Sequence, residues 1–204
     1  MPSSRDTILA KIAAATATVS SPAAMPAYHD EALHAQGRLG AGSLWEVFTG
    51  NFRAVSGKPM ESVAVLADFL LTGGFVRGYC DPALLECVGN HLAAAGIIVE
   101  TTFERGRYDV YQFGITRASG AIAESGSLII DDLRTSDRLA ALSPWVHVAV
   151  LTAGEVLRTI PDAIARFGHA PNIIWVTGPS KTADVEGILI EGVHGPGEQI
   201  ALLI

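Results

Sequence analysis

Apolar positions along the chain recur in two rhythms, one of three to four residues and one of two, and their alternation predicts an α/β fold. Ile8, Leu9, Ile12 and Val19, interleaved with alanines, predict an amphipathic surface helix capped by Ser3 or Ser4. Residues 20–26 are rich in Ser, Ala and Pro and read as a linker, after which Leu44, Val47, Phe48 and Phe52 return at helical spacing. Residues 1–57 are expected to form a helical arm packed on a main domain of residues 58–204.

Within that domain a helix is predicted over residues 61–71 and a strand over 75–79. A helix then opens with Pro82 at its first position and buries Leu84, Leu85, Val88 and Leu92, and a short strand follows at 97–99. Two apolar runs flank Glu124-Ser125-Gly126, which predicts two short strands joined by a tight turn or bulge. A helix over 135–142, a strand over 145–151, a helix over 154–167 and a buried strand over 172–176 come next. A strand segment at 188–191, a loop over 192–197 and a closing strand over 199–204 complete the series. Helices alternating with strands in this way imply a mainly parallel sheet with helices on its faces.

A length of 204 residues suffices for one domain with a full core, or one with a small appendage. The net charge of −7, with no run of Lys or Arg, excludes a nucleic-acid binder, which needs a basic patch to release counterions. No apolar window is long enough for a membrane span, since the best, residues 63–76, is broken by Asp68 and Gly73-Gly74. The N-terminal apolar positions are too sparse for a signal peptide, which points to a cytoplasmic protein. Cys80 and Cys87 match no zinc, cluster or redox spacing and are expected to be small buried hydrophobes; neither a metal nor a cofactor is expected.

Candidate chemistry concentrates where the 172–176 strand ends. Gly178-Pro179 punctuates the chain, and Ser180, Lys181, Thr182, Asp184 and Glu186 follow at once. The stretch is no nucleotide-triphosphate loop, because Trp175 and Ser180 stand where that loop needs glycines. The pattern Gly37-x-x-Gly40-x-Gly42 is likewise no dinucleotide fingerprint, having the wrong order and no strand before it. A helix starting at Ser180 would stack Ser180 on Asp184 and Thr182 on Glu186 beside free N–H groups suited to an anion, with Lys181 adding charge. The competing reading makes Ser180 or Thr182 an ordinary cap and Asp184 a complement to the helix dipole. Glu124, at a glycine-permitted turn, suits a nucleophile or general acid/base, and equally a turn glutamate bonded to nearby N–H groups. His194, between glycines in a loop, suits proton transfer or is a surface histidine, while His147 reads as a satisfied core or edge residue.

Three motifs occur in order: Gly114-Ile115-Thr116 with Ala121-Ile122-Ala123-Glu124-Ser125-Gly126-Ser127, the stretch from Thr177 to Glu186, and Gly192-Val193-His194-Gly195-Pro196. With Arg138-Leu139 and Pro144-x-x-His147 between them, they resemble the lactate-utilisation protein C family (LutC/YkgG, or LUD domain), over roughly residues 61–204. The resemblance implies a NagB/RpiA/CoA-transferase-like three-layer sandwich around a mainly parallel sheet, to which the N-terminal helical arm read from the pattern would be added. It also implies a subunit of a bacterial system that oxidises L-lactate to pyruvate, with partner subunits carrying the iron–sulfur clusters. Ser125 and Ser127 stand where the family more often has threonines, and Lys181 where it often has arginine, whose bidentate fork lysine lacks. On this reading Glu124, His194 and Asp184 are the candidate catalytic residues. Thr116, Ser125, Gly126, Gly178, Pro179, Ser180, Lys181, Thr182, Glu186 and Gly195 are the candidate ligand contacts for a small anion such as lactate, pyruvate or a coenzyme A derivative. CoA transferases of this fold use a glutamate at a Glu-x-Gly turn, and Glu124-Ser125-Gly126 is similar. That analogy implies an alternative, a stand-alone acyl- or CoA-transferase-like or sugar-phosphate-isomerase-like enzyme using Glu124.

Overall fold

A computed structural model describes residues 3–17, 39–170, 172–183 and 188–204. The chain divides into two compact bodies, residues 1–34 and 35–204. In the first, helix α1 (Ser4–Thr16) begins at a capping box: Ser3 Oγ accepts from the Asp6 N–H and Asp6 Oδ2 accepts from the Ser3 N–H, each at 3.2 Å. The expected linker, Val19, and the start of the Gly37 pattern lie outside the described residues.

The second body opens with α2 (Leu44–Ala54), capped by Ser43 and Glu46, whose rings Trp45, Phe48 and Phe52 stack in succession along one face. Strands β1 (Lys58–Met60), β2 (Arg77–Cys80), β3 (Ile98–Glu100), β4 (Phe113–Arg117), β7 (Val146–Leu151) and β12 (Glu198–Leu203) form one sheet in the order β1-β12-β7-β4-β2-β3, every pairing parallel. The mainly parallel α/β fold expected from the alternation is what the chain adopts.

The pleat divides this sheet into unlike faces. Phe113, Ile115, Val146, Val148, Val150, Ile200 and Leu202 turn to one side, against Leu66 and Leu70 of α3 (Val63–Thr72) and Leu92 of α4 (Asn90–Ala94). The other side carries small and polar residues: Gly114, Thr116, His147, Ala149, Gln199 and Ala201. A Cβ on Gly114 would fall 1.8 Å from the Ala140 carbonyl, so the bare backbone lets α5 (Arg138–Leu142) lie directly on β4. A second sheet of β5 (Gly120–Ile122), β6 (Ser127–Asp131), β8 (Val156–Leu157) and β9 (Ile173–Val176), in the order β8-β5-β6-β9, packs with Phe48 and Phe52 over Ala149, Leu151 and Ala201.

Several boundaries differ from the sequence reading. Strand β4 was not expected, because its Gly and Thr break the apolar run. The predicted helix over 154–167 starts only at α6 (Ile160–Phe167), where Thr159 and Asp162 form a capping box; residues before it make a short 3₁₀ turn and β8. Strand β9 was expected to be buried, yet among the described residues it pairs only with β6 and, as an edge of that sheet, leaves Trp175 39 % exposed. Cys80 is buried, and that burial pushes its thiol up to about 12. Cys87 is exposed, against expectation, because the inward face runs through Leu84, Val88 and Leu92 at a spacing of four.

Candidate functional site

The Glu124-Ser125-Gly126 turn joins antiparallel β5 and β6. Gly126 holds φ at +64°, and a Cβ there would stand 2.5 Å from the Phe52 nitrogen, so the turn needs glycine both for its backbone and for its seat on α2. Asn51 of α2 secures the turn, its side-chain amide donating to the Ala123 carbonyl at 2.7 Å.

Glu124 is only 3 % exposed, and its Oε1 accepts from the Ile160 N–H at 2.7 Å. With the Thr159–Asp162 capping box, and with Pro161 having no N–H, this completes the donors at the start of α6. The position suits a carboxylate, since the helix dipole presents positive charge there. The turn-glutamate reading therefore describes what Oε1 does. Oε2 is buried and accepts no hydrogen bond among the described residues.

From this turn a chain of hydroxyls leads to the second motif. Ser125 Oγ lies 2.8 Å from Ser127 Oγ, which lies 2.7 Å from Thr177 Oγ1 at the end of β9. Gly178 then turns with φ +78°, where a Cβ would meet the Val55 carbonyl at 2.1 Å, and both Gly178 and Pro179 are buried. The helix expected from Ser180 does not form. Ser180 donates its N–H to the Pro196 carbonyl and accepts from the Gly192 N–H, so its backbone is committed to the glycine loop and cannot cap a helix. Lys181, Thr182 and Ala183 form β10 (Lys181–Ala183), paired antiparallel with β11 (Leu189–Glu191). The anion site built on a helix N-terminus at Ser180 is thereby corrected to a β-hairpin. Lys181 is engaged there too: its Nζ donates to Ser56 Oγ at 2.7 Å and pairs with Glu191 at 3.3 Å. Thr182 is half-buried opposite Ile190. Asp184 and Glu186 lie outside the described residues.

The third motif joins the second. A Cβ on Gly195 would lie 3.2 Å from Ser180 Cβ and 3.9 Å from the Leu142 carbonyl at the end of α5. His194 beside it is exposed. All three motifs thus meet along α2 and the glycine loop, but the Glu124 carboxylate is directed to α6 and the one described cation of the hairpin is already paired.

Thr116 takes another course. It is fully buried on β4, and its Oγ1 lies 2.9 Å from His147 Nε2. The other ring nitrogen of His147 meets the Gln199 side chain at 2.9–3.1 Å, forming a polar row across β4, β7 and β12. Burial lowers the His147 pKa to about 4, the Gln199 bond opposing it, so the ring is neutral and one nitrogen donates while the other accepts. Each of the three side chains has a partner in the row, which makes His147 a satisfied core histidine and ties Thr116 to the core.

Beyond the carboxyl end of β4, Arg117 and Arg134 both bond Glu155 Oε1, at 2.7 and 3.2 Å, and the Thr152 N–H bonds Oε2 at 2.8 Å. Burial alone would raise this carboxyl; the Thr152 N–H and the Arg117 guanidinium outweigh it and hold Glu155 below the usual carboxylate range. Next to this cluster a cavity of about 480 Å³ is lined by residues including Arg105, Thr135, Ser136 and Asp137. None of these four was a candidate from sequence. The one available signal was Ser136-Asp137 ahead of a short apolar helix.

Among known proteins, the family model of the LUD domain matches residues 102–204, which include all three motifs. A lactate utilization protein C of Anoxybacillus flavithermus is 33 % identical over 94 residues, 45 % of this chain and 43 % of that protein. The Bacillus subtilis protein of the same name is 30 % identical over 99 residues, 45 % of this chain and 41 % of its own length. The chain therefore spans about two-fifths of the length of the curated relatives it matches. A crystal structure of a DUF162-family protein from Deinococcus radiodurans shares the fold, with a TM-score of 0.55 and 16 % identity over 78 % of this chain and 95 % of that one. With the family model matching half of its length, the chain belongs to the LUD-domain family.

Proposed function

We propose that this protein is a cytoplasmic subunit of a bacterial L-lactate utilisation system, working with iron–sulfur partner subunits in the oxidation of lactate to pyruvate and binding a small anionic ligand. The observation that carries the reading is the LUD match over residues 102–204, joined to relatives named lactate utilization protein C that are 30–33 % identical over 94–99 residues. The turn at Glu124 seats α2 and α6, and no described helix is long and apolar enough to cross a membrane. The test is growth of a strain lacking the gene, with L-lactate or pyruvate as sole carbon source. Growth lost on lactate alone and restored by the gene supports the role, and equal growth of mutant and parent on lactate overturns it.

One observation favours a second reading, an acyl-transferase-like enzyme in which Glu124 acts as nucleophile. Glu124 Oε2 is an unbonded carboxylate oxygen, the group such chemistry uses to attack a thioester carbonyl and release the thiolate. At 3 % exposure it meets an acyl donor only if the α6 entrance moves. Incubation with acetyl-coenzyme A followed by peptide mass mapping decides it: an acyl adduct on Glu124 supports this reading, and an unmodified peptide removes it.

A further inference from the structure

The parallel sheet has a point at which its winding reverses. From β2 the chain crosses to β3 on one side, whereas from β4 it proceeds through β7 to β12 on the other. The crossovers after β2 and β4 therefore leave on opposite faces, and a crevice opens outside the carboxyl ends of these two strands, the usual ligand position in open α/β sheets. The 480 Å³ cavity lies there. Its wall is bonded to both flanking strands: Thr135 Oγ1 donates to the carbonyl of Arg117, the last residue of β4, at 3.0 Å, and Ser136 Oγ lies 2.6 Å from the Tyr79 hydroxyl of β2.

The lining contains groups with unused bonding capacity. The Arg105 guanidinium makes no hydrogen bond or ion pair among the described residues, whereas the other arginine of the cavity, Arg138, is paired with Asp132 at 2.8 Å. Asp137 uses Oδ1 on the Leu139 N–H at 2.8 Å, leaving Oδ2 as an open acceptor among the described residues. Leu142 and Ile174 supply apolar surface. A lone guanidinium calls for a carboxylate or phosphate, and an open carboxylate oxygen calls for a hydroxyl donor. The volume falls within the range of sites for cofactor-sized ligands rather than for a three-carbon acid.

We propose that this crevice binds a hydroxylated organic anion larger than lactate, with the anionic group on Arg105 and a hydroxyl donating to Asp137. The site borders the motif cluster through Leu142, whose carbonyl faces Gly195, but no residue of the three motifs lines it. The inference stands whether or not the protein serves lactate oxidation.

Titration of the full chain by calorimetry and by amide NMR shifts tests it, with gluconate, glycerol 3-phosphate, inorganic phosphate and L-lactate as separate probes. Gluconate and glycerol 3-phosphate distinguish a carboxylate from a phosphate ligand. At least one of these two is expected to bind with shifts centred on residues 135–142, and Arg105→Ala, an exposed position, to weaken it at least tenfold. Asp137→Asn, which keeps an acceptor for the Leu139 N–H, is expected to weaken the hydroxylated probe and leave inorganic phosphate unaffected. The proposal is overturned if neither hydroxylated anion binds by about 10 mM, if the shifts centre on the glycine loop around His194, if Arg105→Ala leaves affinity unchanged, or if L-lactate binds the crevice as tightly as the larger probes.

Discussion

The Thr116–His147–Gln199 row predicts a specific acid sensitivity. Burial drops His147 from 6.5 to about 4 in the folded chain, while the unfolded chain keeps the ordinary value. Between those values the unfolded state binds a proton that the folded state refuses, so stability is complete above pH 6.5 and lost as pH falls toward 4. For these two values the loss from this residue is about 2 kcal/mol by pH 5 and about 3 kcal/mol by pH 4. The full burial of His147 leaves no solvent to screen the effect. Urea unfolding at pH 7 and pH 5 reads it: with a slope of about 2 kcal/mol per molar, the midpoint falls by about 1 M from His147 alone. Carboxylates add their own pH dependence, so the comparison is with His147→Gln, which carries polar atoms but no charge near neutrality. The wild type is expected to lose about 2 kcal/mol more than His147→Gln between these pH values. Equal losses would mean that His147 does not resist protonation, and would return Thr116 to the candidates for ligand contact.

Two further substitutions probe the motif cluster. Glu124→Ala strips the Ile160 N–H of its buried partner and is expected to cost about 1–3 kcal/mol, with faster amide hydrogen exchange in the first turn of α6; unchanged exchange there would refute the capping role. Gly178→Ala places a Cβ 2.1 Å from the Val55 carbonyl at φ +78° and is expected to cost about 2 kcal/mol or more in urea unfolding. Gly154→Ala, with open space around it, serves as the near-neutral control, and similar losses in both variants would contradict the packing of Gly178 on α2.

How far sequence reasoning reached follows from the range of each interaction. Periodicity located α3, β7 and β12, whose patterns are local and strong, and the Glu124 turn between two short strands was read correctly from its flanking apolar runs. It missed β4, because Phe113-Gly114-Ile115-Thr116-Arg117 alternates bulky residues with ones fitted to α5 and His147, contacts that only the fold brings together. The helix assigned after Ser180 failed for a related reason: capping residues there are outcompeted by backbone bonds to Gly192 and Pro196, more than ten residues away in sequence. Motif reasoning grouped the Ser125, Thr177, Ser180 and Gly195 segments, and in the structure hydroxyls link the first two while the last two lie in contact. It did not foresee that Glu124 would turn to α6 or Lys181 to Ser56 and Glu191. The crevice of Arg105 and Asp137 is assembled from a 3₁₀ turn and the start of a short helix far apart in sequence, and Ser136-Asp137 ahead of that helix was the one local mark of it.

The proposed role in lactate oxidation is tested most directly in a cell extract. L-Lactate-dependent dye reduction would be measured in extract from the gene-deletion strain, before and after addition of the purified full-length chain. A rate absent without the protein and restored by adding it is the predicted result. A rate that equals that of the parent strain without any addition would contradict the assignment.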